Sequence, residues 1–528
     1  MYRSDTPALS LGQKAEERHS WARVIFSTSP LSKATNCLEI GAAAVAGLFM
    51  LAFVVIASLR LPYPFEINWS ESAMHSMVAA RMLGRPLYTS PSIFDGASCL
   101  YPPFFVDLSA LVGRLLHIDG NSVSFLPMRL VSIVSSAGIF IGALWVLRGR
   151  KAMTWRMAFA LAAIFPATYG RLEFWYDNAR VDTLFVFLLF VSTALLLESE
   201  SLWSAALAGV FGALATLTKQ PGLLLMGLVG LDTVFVKRRV GRAAAFALAF
   251  ACSILTYLWV NGDLLNPLFY FWMLRAAGSR PLLWASFLRG PLFLVAVIPF
   301  AVFFAAAALI LRFRSRGEAS AAPLARLEWS WSLVFGLWTL ASLILRAKEG
   351  ASINYFMPSI SVGAMAIAEG TRWIARHGLD ERRIAGLAAV AQLAMLAYNP
   401  ALFLPTAEAV KEAGQLVETL KKVDGPIWFP TFPSFAAMAG KPWVAHYGTL
   451  TDLDVTNPGQ VARDVSRAIR SRWFGALILP PNDRFVNMTE LRQFYQEQPF
   501  PEIRSPFLRR SFNMEFGAIL VRRSTTPS

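Results

Sequence analysis

A chain of 528 residues with 55% hydrophobic and only 16% charged residues, at a mean hydropathy of +0.48, is not an ordinary soluble domain, where about a quarter of residues are charged. The net charge of +15 does not point to nucleic acid, because Arg and Lys gather in alternate gaps between apolar runs, as cytoplasmic loops of membrane proteins do. The cysteines Cys37, Cys99 and Cys252 stand far apart and fit neither a disulfide framework nor a zinc site.

In chain order, residues 1–36 are polar and carry Arg3, Lys14, Arg18, Arg23 and Lys33. The apolar run 37–59 suffices to cross a ~30 Å hydrocarbon core. It is too long and begins too late for a signal peptide, so it reads as a retained signal anchor with a cytoplasmic N-terminus. Residues 60–125 form a long first exterior loop, with an interfacial helix over 70–83 that turns Trp69, Met74, Met77 and Met82 toward lipid or protein. Apolar runs follow near 126–147, 157–170, 183–197, 202–218, 221–236, 243–260, 291–311, 329–345, 358–373 and 384–404. The expected fold is therefore mostly α, a polytopic helical membrane bundle over 37–404 with about eleven spans. Residues 405–528 read as a small exterior α/β domain, with a helix over 407–423 and strands over 427–429, 476–479 and 518–521.

The basic gaps at Arg148–Lys151, Lys237–Arg239, Arg312–Arg316 with Arg326, and Arg372–Arg383 share the side of the N-terminus, which is the cytoplasm. Arg275, Arg280 and Arg289 lie outside, against that trend. The Ala- and Arg-rich composition fits a bacterial inner membrane, with the C-terminal domain periplasmic or extracellular. No internal repeat is visible, which weighs against a transporter built from duplicated halves.

Two polar clusters fall at the exterior rim. One holds Glu66 and Glu71, then Gly84-Arg85-Pro86-Leu87-Tyr88 and Tyr101-Pro102-Pro103; the other is Trp175-Tyr176-Asp177-Asn178-Ala179-Arg180-Val181-Asp182. Carboxylates are costly near hydrocarbon, so acids at such places are functional candidates. Thr218-Lys219-Gln220 and Gly350 with Asn354-Tyr355 stand at later exterior helix ends.

In order and spacing over residues 37–400, these motifs resemble the GT-C superfamily, in particular bacterial relatives of protein O-mannosyltransferases, aminoarabinose transferase and the Rgt-like transferases. One departure stands out: many relatives pair acids in the first loop or follow the acid with Gly, whereas Glu71 lies between Ser70 and Ser72. The resemblance implies a membrane glycosyltransferase that moves a sugar from a polyprenyl-phosphate donor to a lipid or glycan acceptor. Inversion at the anomeric carbon then requires a carboxylate for the acceptor proton and cations for the leaving phosphate.

Glu71 is the first candidate base, with Glu66 as an alternative and a structural role open to either. Arg180 is a candidate phosphate ligand, since its fork matches phosphate oxygens; Asp182 could orient it, act in catalysis, bind a metal or simply cap a helix. Lys219 either contacts phosphate with Gln220 beside it, or snorkels to the interface. Trp175, Tyr176, Tyr101, Asn354 and Tyr355 are candidate substrate contacts, and Arg346 and Lys348 extend the cationic rim. Asp177 and Glu173 are candidate ligands for a divalent metal, though no complete ligand set is visible.

Two other functional classes compete. A transporter or flippase for a lipid-linked or anionic solute would keep its charges near the bilayer midplane rather than at one rim. A noncatalytic assembly or sensor protein would use Trp428, Phe429, Phe432, Phe435 and Trp443 as a ligand surface, where a core role is the simpler reading. His75, His117, His377 and His446 are isolated and fit no metal spacing.

Overall fold

The computed structural model describes residues 30–94, 101–172, 175–231, 233–234, 239–315, 330–480, 483–512 and 518–523. Cys99, Glu173, Lys237, Arg238, Arg316 and Arg326 lie outside these segments.

The apolar runs fold as helices. Three are long and apolar enough to cross a membrane unbroken: Lys33–Arg60, Leu126–Arg150 and Val240–Val260. Two more qualify if each bent pair is one span: Trp284–Val297 with Pro299–Leu311, bent by 100°, and Glu381–Met395 with Pro400–Lys421, bent by 59°. Proline accounts for both breaks, because Pro299 and Pro400 each open the second helix, where a missing N–H leaves no bond unmade.

Elsewhere the expected runs are shorter. The run 157–170 becomes Trp155–Ala162, Ile164–Ala167 and a 3-10 turn Thr168–Arg171. Ala158, Leu161, Ile164 and Ala167 are buried, so these pieces meet protein and need not match the bilayer thickness. Small residues bring helices close: a β-carbon at Gly209 would lie 2.3 Å from the Phe246 carbonyl oxygen of Val240–Val260.

The stretch between the first two long helices holds the helix Glu71–Met82. Met74 and Met77 are fully buried, so its apolar face is covered by protein and not by lipid. A second helix, Phe104–Leu115, follows Tyr101-Pro102-Pro103, and Pro103 is the residue just before its first turn.

Beyond Pro400 the chain builds a four-stranded sheet of β1 (Ile427–Trp428), β2 (Ala476–Ile478), β3 (Tyr495–Pro499) and β4 (Ala518–Arg522), in the order β1-β2-β4-β3. β1 and β2 are parallel, with Trp428 beside Leu477, and β4 runs antiparallel to both β2 and β3. β3 escaped the sequence reading because Gln496, Glu497 and Gln498 are exposed on an edge strand. Trp428, Phe429, Phe432 and Phe435 are fully buried, so they are core residues and no open ligand surface.

This sheet sits on residues 65–75 through aromatic pairs. Phe65 stacks on Phe435 at 5.7 Å, Trp69 on His446 at 5.0 Å, and His75 on Trp443 at 5.5 Å. His446 caps the helix Tyr447–Thr456 by accepting from Gly448 N at 3.1 Å, while its Nε2 meets the Trp69 carbonyl at 2.8 Å. The isolated histidines of the sequence thus include two interdomain contacts.

Burial drives the His446 imidazole from 6.5 down to about 4, with the Arg180 charge adding to the effect. Between those values the unfolded chain binds a proton that the folded one does not, so this group removes stability as pH falls through 6.5 toward 4. Glu66 works with the opposite sign, because burial raises its value in the folded chain. Comparing His446→Gln with wild type isolates the histidine: on acidification from neutrality to pH ~4.5, the variant is expected to lose less stability by on the order of 2 kcal/mol. Thermal unfolding at the two pH values measures it.

Candidate functional site

The cluster forms where four chain stretches converge. Ser136 Oγ donates to the Tyr176 carbonyl at 2.7 Å and Ser132 Oγ to the Arg180 carbonyl at 3.2 Å. These bonds pin the loop 175–181 to the helix Leu126–Trp145. Asp182 then opens the helix Asp182–Glu198. The amide of Phe104 donates to the Leu217 carbonyl at 3.0 Å, which ties the end of the Tyr101-Pro102-Pro103 segment to the turn carrying Lys219. Asn354 and Tyr355 lie in the 3-10 turn Ile353–Phe356.

At the centre is Asp182. Its Oδ1 accepts from Lys219 Nζ at 2.7 Å and from Asn354 Nδ2 at 2.7 Å. Its Oδ2 has no hydrogen-bond donor and stands 3.6 Å from Arg180 Nε. Arg180 Nη2 donates to Tyr101 Oη at 2.7 Å, and its guanidinium lies 5.3 Å from the Tyr101 ring centre and 5.0 Å from that of Trp175. Lys219 Nζ lies 4.2 Å from the Tyr355 ring centre. Arg180, Asp182, Lys219 and Asn354 are all buried. Two cations therefore share one carboxylate inside an aromatic wall. The two cations are side by side, in an arrangement that phosphate oxygens would suit.

Glu71 and Glu66 occupy a different place. Glu71 Oε1 accepts from Ala179 N at 2.6 Å and Arg129 Nε at 3.1 Å; Oε2 accepts from Ile67 N at 2.7 Å and Arg129 Nη2 at 2.7 Å. Burial opposes the charge on Glu71, but the Arg129 charge and hydrogen bonds, with the two amides, outweigh it and hold the carboxyl below its ordinary value. All its acceptor sites are filled by protein donors. Arg129 also donates to the Arg60, Tyr63 and Phe65 carbonyls, so the pair fastens the start of the first loop to the second. Glu66 is fully buried, accepts from Ser434 Oγ and from Ser72 N at 3.3 Å, and is raised well above its usual range by that burial. Its buried position at the contact with the sheet domain disfavours the charged form.

Tyr176, fully buried, turns away from the cluster: its hydroxyl meets Thr168 Oγ1 and its ring packs 4.7 Å from Phe165. Gln220 Nε2 lies 3.6 Å from Met273 Sδ. Lys348 donates to the Ala277 carbonyl at 2.5 Å and neighbours the Arg280–Asp452 ion pair, while Arg346 ends the helix Ser330–Arg346.

Of the two metal candidates, the structure describes Asp177, which is already engaged by protein groups. Asp177 pairs with Arg60 Nε at 3.3 Å and accepts from the Tyr169 hydroxyl at 3.1 Å, Glu173 lies outside the described residues, and no group of three metal-ligating side chains occurs among the described residues. Arg129 and Arg60 went unread in the sequence. A lone Arg a few residues inside an apolar run was the available signal, since such a charge requires a partner.

No protein-family model matches the chain, and no curated protein does. Among solved structures it is similar to ArnT from Cupriavidus metallidurans bound to undecaprenyl phosphate, at 11% identity and a TM-score of 0.56, over 91% of this chain and 99% of that one. It is also similar to the Archaeoglobus fulgidus oligosaccharyltransferase tethered with an acceptor peptide, at 11% identity and a TM-score of 0.48, over 89% of this chain and 74% of that one. At such identity the likeness to ArnT speaks for architecture and not for chemistry. The match extends over nearly the whole of both chains, and the protein thus has the fold of ArnT.

Proposed function

We propose that the protein is a multi-pass glycosyltransferase of the cell membrane, taking a sugar from a polyprenyl-phosphate donor and passing it to a lipid or glycan acceptor at the exterior face. One observation carries the reading: the buried Arg180–Lys219 cation pair gathered on Asp182 and framed by Tyr101, Trp175 and Tyr355. The ArnT structure that shares this fold holds undecaprenyl phosphate, which is the chemistry this cation pair suits.

In this reading Asp182 is the base. The donor phosphate draws Lys219 and Arg180 onto its oxygens, which loosens their hold on the carboxylate. Asp182 Oδ2, free of hydrogen-bond donors, then takes the proton of the acceptor hydroxyl. The hydroxyl oxygen attacks the anomeric carbon as the bond from that carbon to the phosphate oxygen breaks. The phosphate keeps the electron pair, stabilised by the two cations. Glu71 holds the loop geometry through Arg129, and Glu66 stabilises the domain contact.

The test is donor binding. Lys219→Met is expected to weaken binding of polyprenyl phosphate by about 10- to 100-fold, the worth of a charge-assisted contact, measured with labelled lipid on protein in nanodiscs. Unchanged affinity would remove the phosphate from this cluster.

A further inference from the structure

Resting on the reading of Arg180 and Lys219 as the phosphate site, we infer that Trp175, Asn178 and Asn354 form the subsite that reads the donor sugar, and that this sugar is neutral and rich in hydroxyls. The observation is a set of buried polar atoms that the protein itself leaves without hydrogen-bond partners: Trp175 Nε1, both ends of the Asn178 carboxamide, and Asn354 Oδ1. Trp175 is 6% exposed, Asn178 0% and Asn354 5%. Among the described residues, Asn178 is the one buried carboxamide with neither end satisfied. Buried groups of this kind are uncommon in folded proteins, and each calls for a partner from elsewhere.

Trp175 and Asn354 touch the Arg180–Asp182 cluster, and Asn178 lies two residues before Arg180 in the loop that carries it, its backbone carbonyl accepting from Arg180 N. The Trp175 ring faces the Arg180 guanidinium at 5.0 Å. Arg180 N donates to the Asn178 carbonyl at 2.8 Å, and Asn354 Nδ2 donates to Asp182 Oδ1 at 2.7 Å, which leaves its carbonyl oxygen over. Together they offer N–H donors from Trp175 and Asn178 and carbonyl acceptors from Asn178 and Asn354. A hydroxyl both donates and accepts, so a ring of neighbouring hydroxyls satisfies the set. None of the three carries charge, so a carboxylate or ammonium on the sugar would find no counter-charge in them. A site built to bond hydroxyls also rejects analogues lacking one, because its own buried groups are then left unpaired.

Two variants isolate the claim. Trp175→Phe keeps an aromatic face against Arg180 and removes the indole N–H; Asn178→Leu replaces the carboxamide by an apolar group of similar size. Both are assayed in nanodiscs for melting temperature, for binding of sugar-free polyprenyl phosphate, and for transfer from polyprenyl phosphates bearing a neutral hexose, a deoxyhexose, an amino sugar or a uronic acid. The expected result is a wild type that prefers the neutral hexose. Each variant should then lose about tenfold or more in kcat/KM for that donor and discriminate less against the deoxyhexose, and Asn178→Leu should bind the sugar-free lipid as wild type does. Asn178→Leu should melt no lower than wild type, since it removes an unpartnered group. Wild-type rates in both variants, preference for a charged sugar, or a marked fall in melting temperature for Asn178→Leu would overturn the inference. A wild type that binds the sugar-free lipid only as well as Lys219→Met does would instead remove the phosphate reading, and this inference with it.

Discussion

Replacing Glu71 by Gln is expected to lower stability by about 3–5 kcal/mol, the cost of leaving a buried charge without its partner. Arg129 and Glu71 are both wholly buried, and the pair joins the first exterior stretch to the 179 amide of the second. Arg129→Met should cost a similar amount. Combining it with Glu71→Leu should recover only part, because the Arg60, Tyr63 and Phe65 carbonyls lose their donor in either case. Thermal unfolding of the purified variants reads this directly. Glu71→Gln protein that melts like wild type yet transfers no sugar would return the base to Glu71, where the motif order first placed it.

The second large effect is at Asp182. Asp182→Asn is expected to reduce sugar transfer by about 10²–10⁴-fold, the range for loss of a positioned base. The same substitution should tighten binding of sugar-free polyprenyl phosphate, because the carboxylate competes with phosphate for Lys219 and Arg180. Opposite signs for turnover and lipid binding in one variant are hard to obtain from simple misfolding. Weakened lipid binding with undiminished transfer would leave Asp182 as an ordinary structural carboxylate.

Much of this architecture was legible in the sequence because hydropathy and rim chemistry follow simple periodicities. The long first helix and the strands at 427, 476 and 518 come from apolar runs of characteristic length. Arg180, Asp182, Lys219, Asn354 and Tyr355 do converge, although they are spread over more than 170 residues; motif order found them where no local pattern could. The division of labour among the carboxylates was not legible. Glu71 and Asp182 are both acids at a rim, and only the position of Arg129 against one and of Lys219 against the other separates a filled carboxylate from one with a free oxygen. Tyr176 and Asp177 sit within the same motif as Arg180 yet turn toward Thr168 and Arg60, because side-chain direction in an irregular loop has no period to read. The bent spans escaped for a related reason: hydropathy averages across Pro299 and Pro400, whereas the backbone breaks at them.

The measurement that tests the central claim most directly is turnover by the wild-type protein in nanodiscs. A panel of labelled polyprenyl-phosphate sugars is incubated with membrane lipid and glycan extract as acceptor, and both transfer and slow donor hydrolysis are followed. Release of polyprenyl phosphate with appearance of the sugar on an acceptor or on water, abolished in Asp182→Asn, is the predicted result. Folded protein that binds these lipids and moves them between leaflets of a vesicle, with no cleavage of any donor, would contradict it and make the protein a lipid transporter.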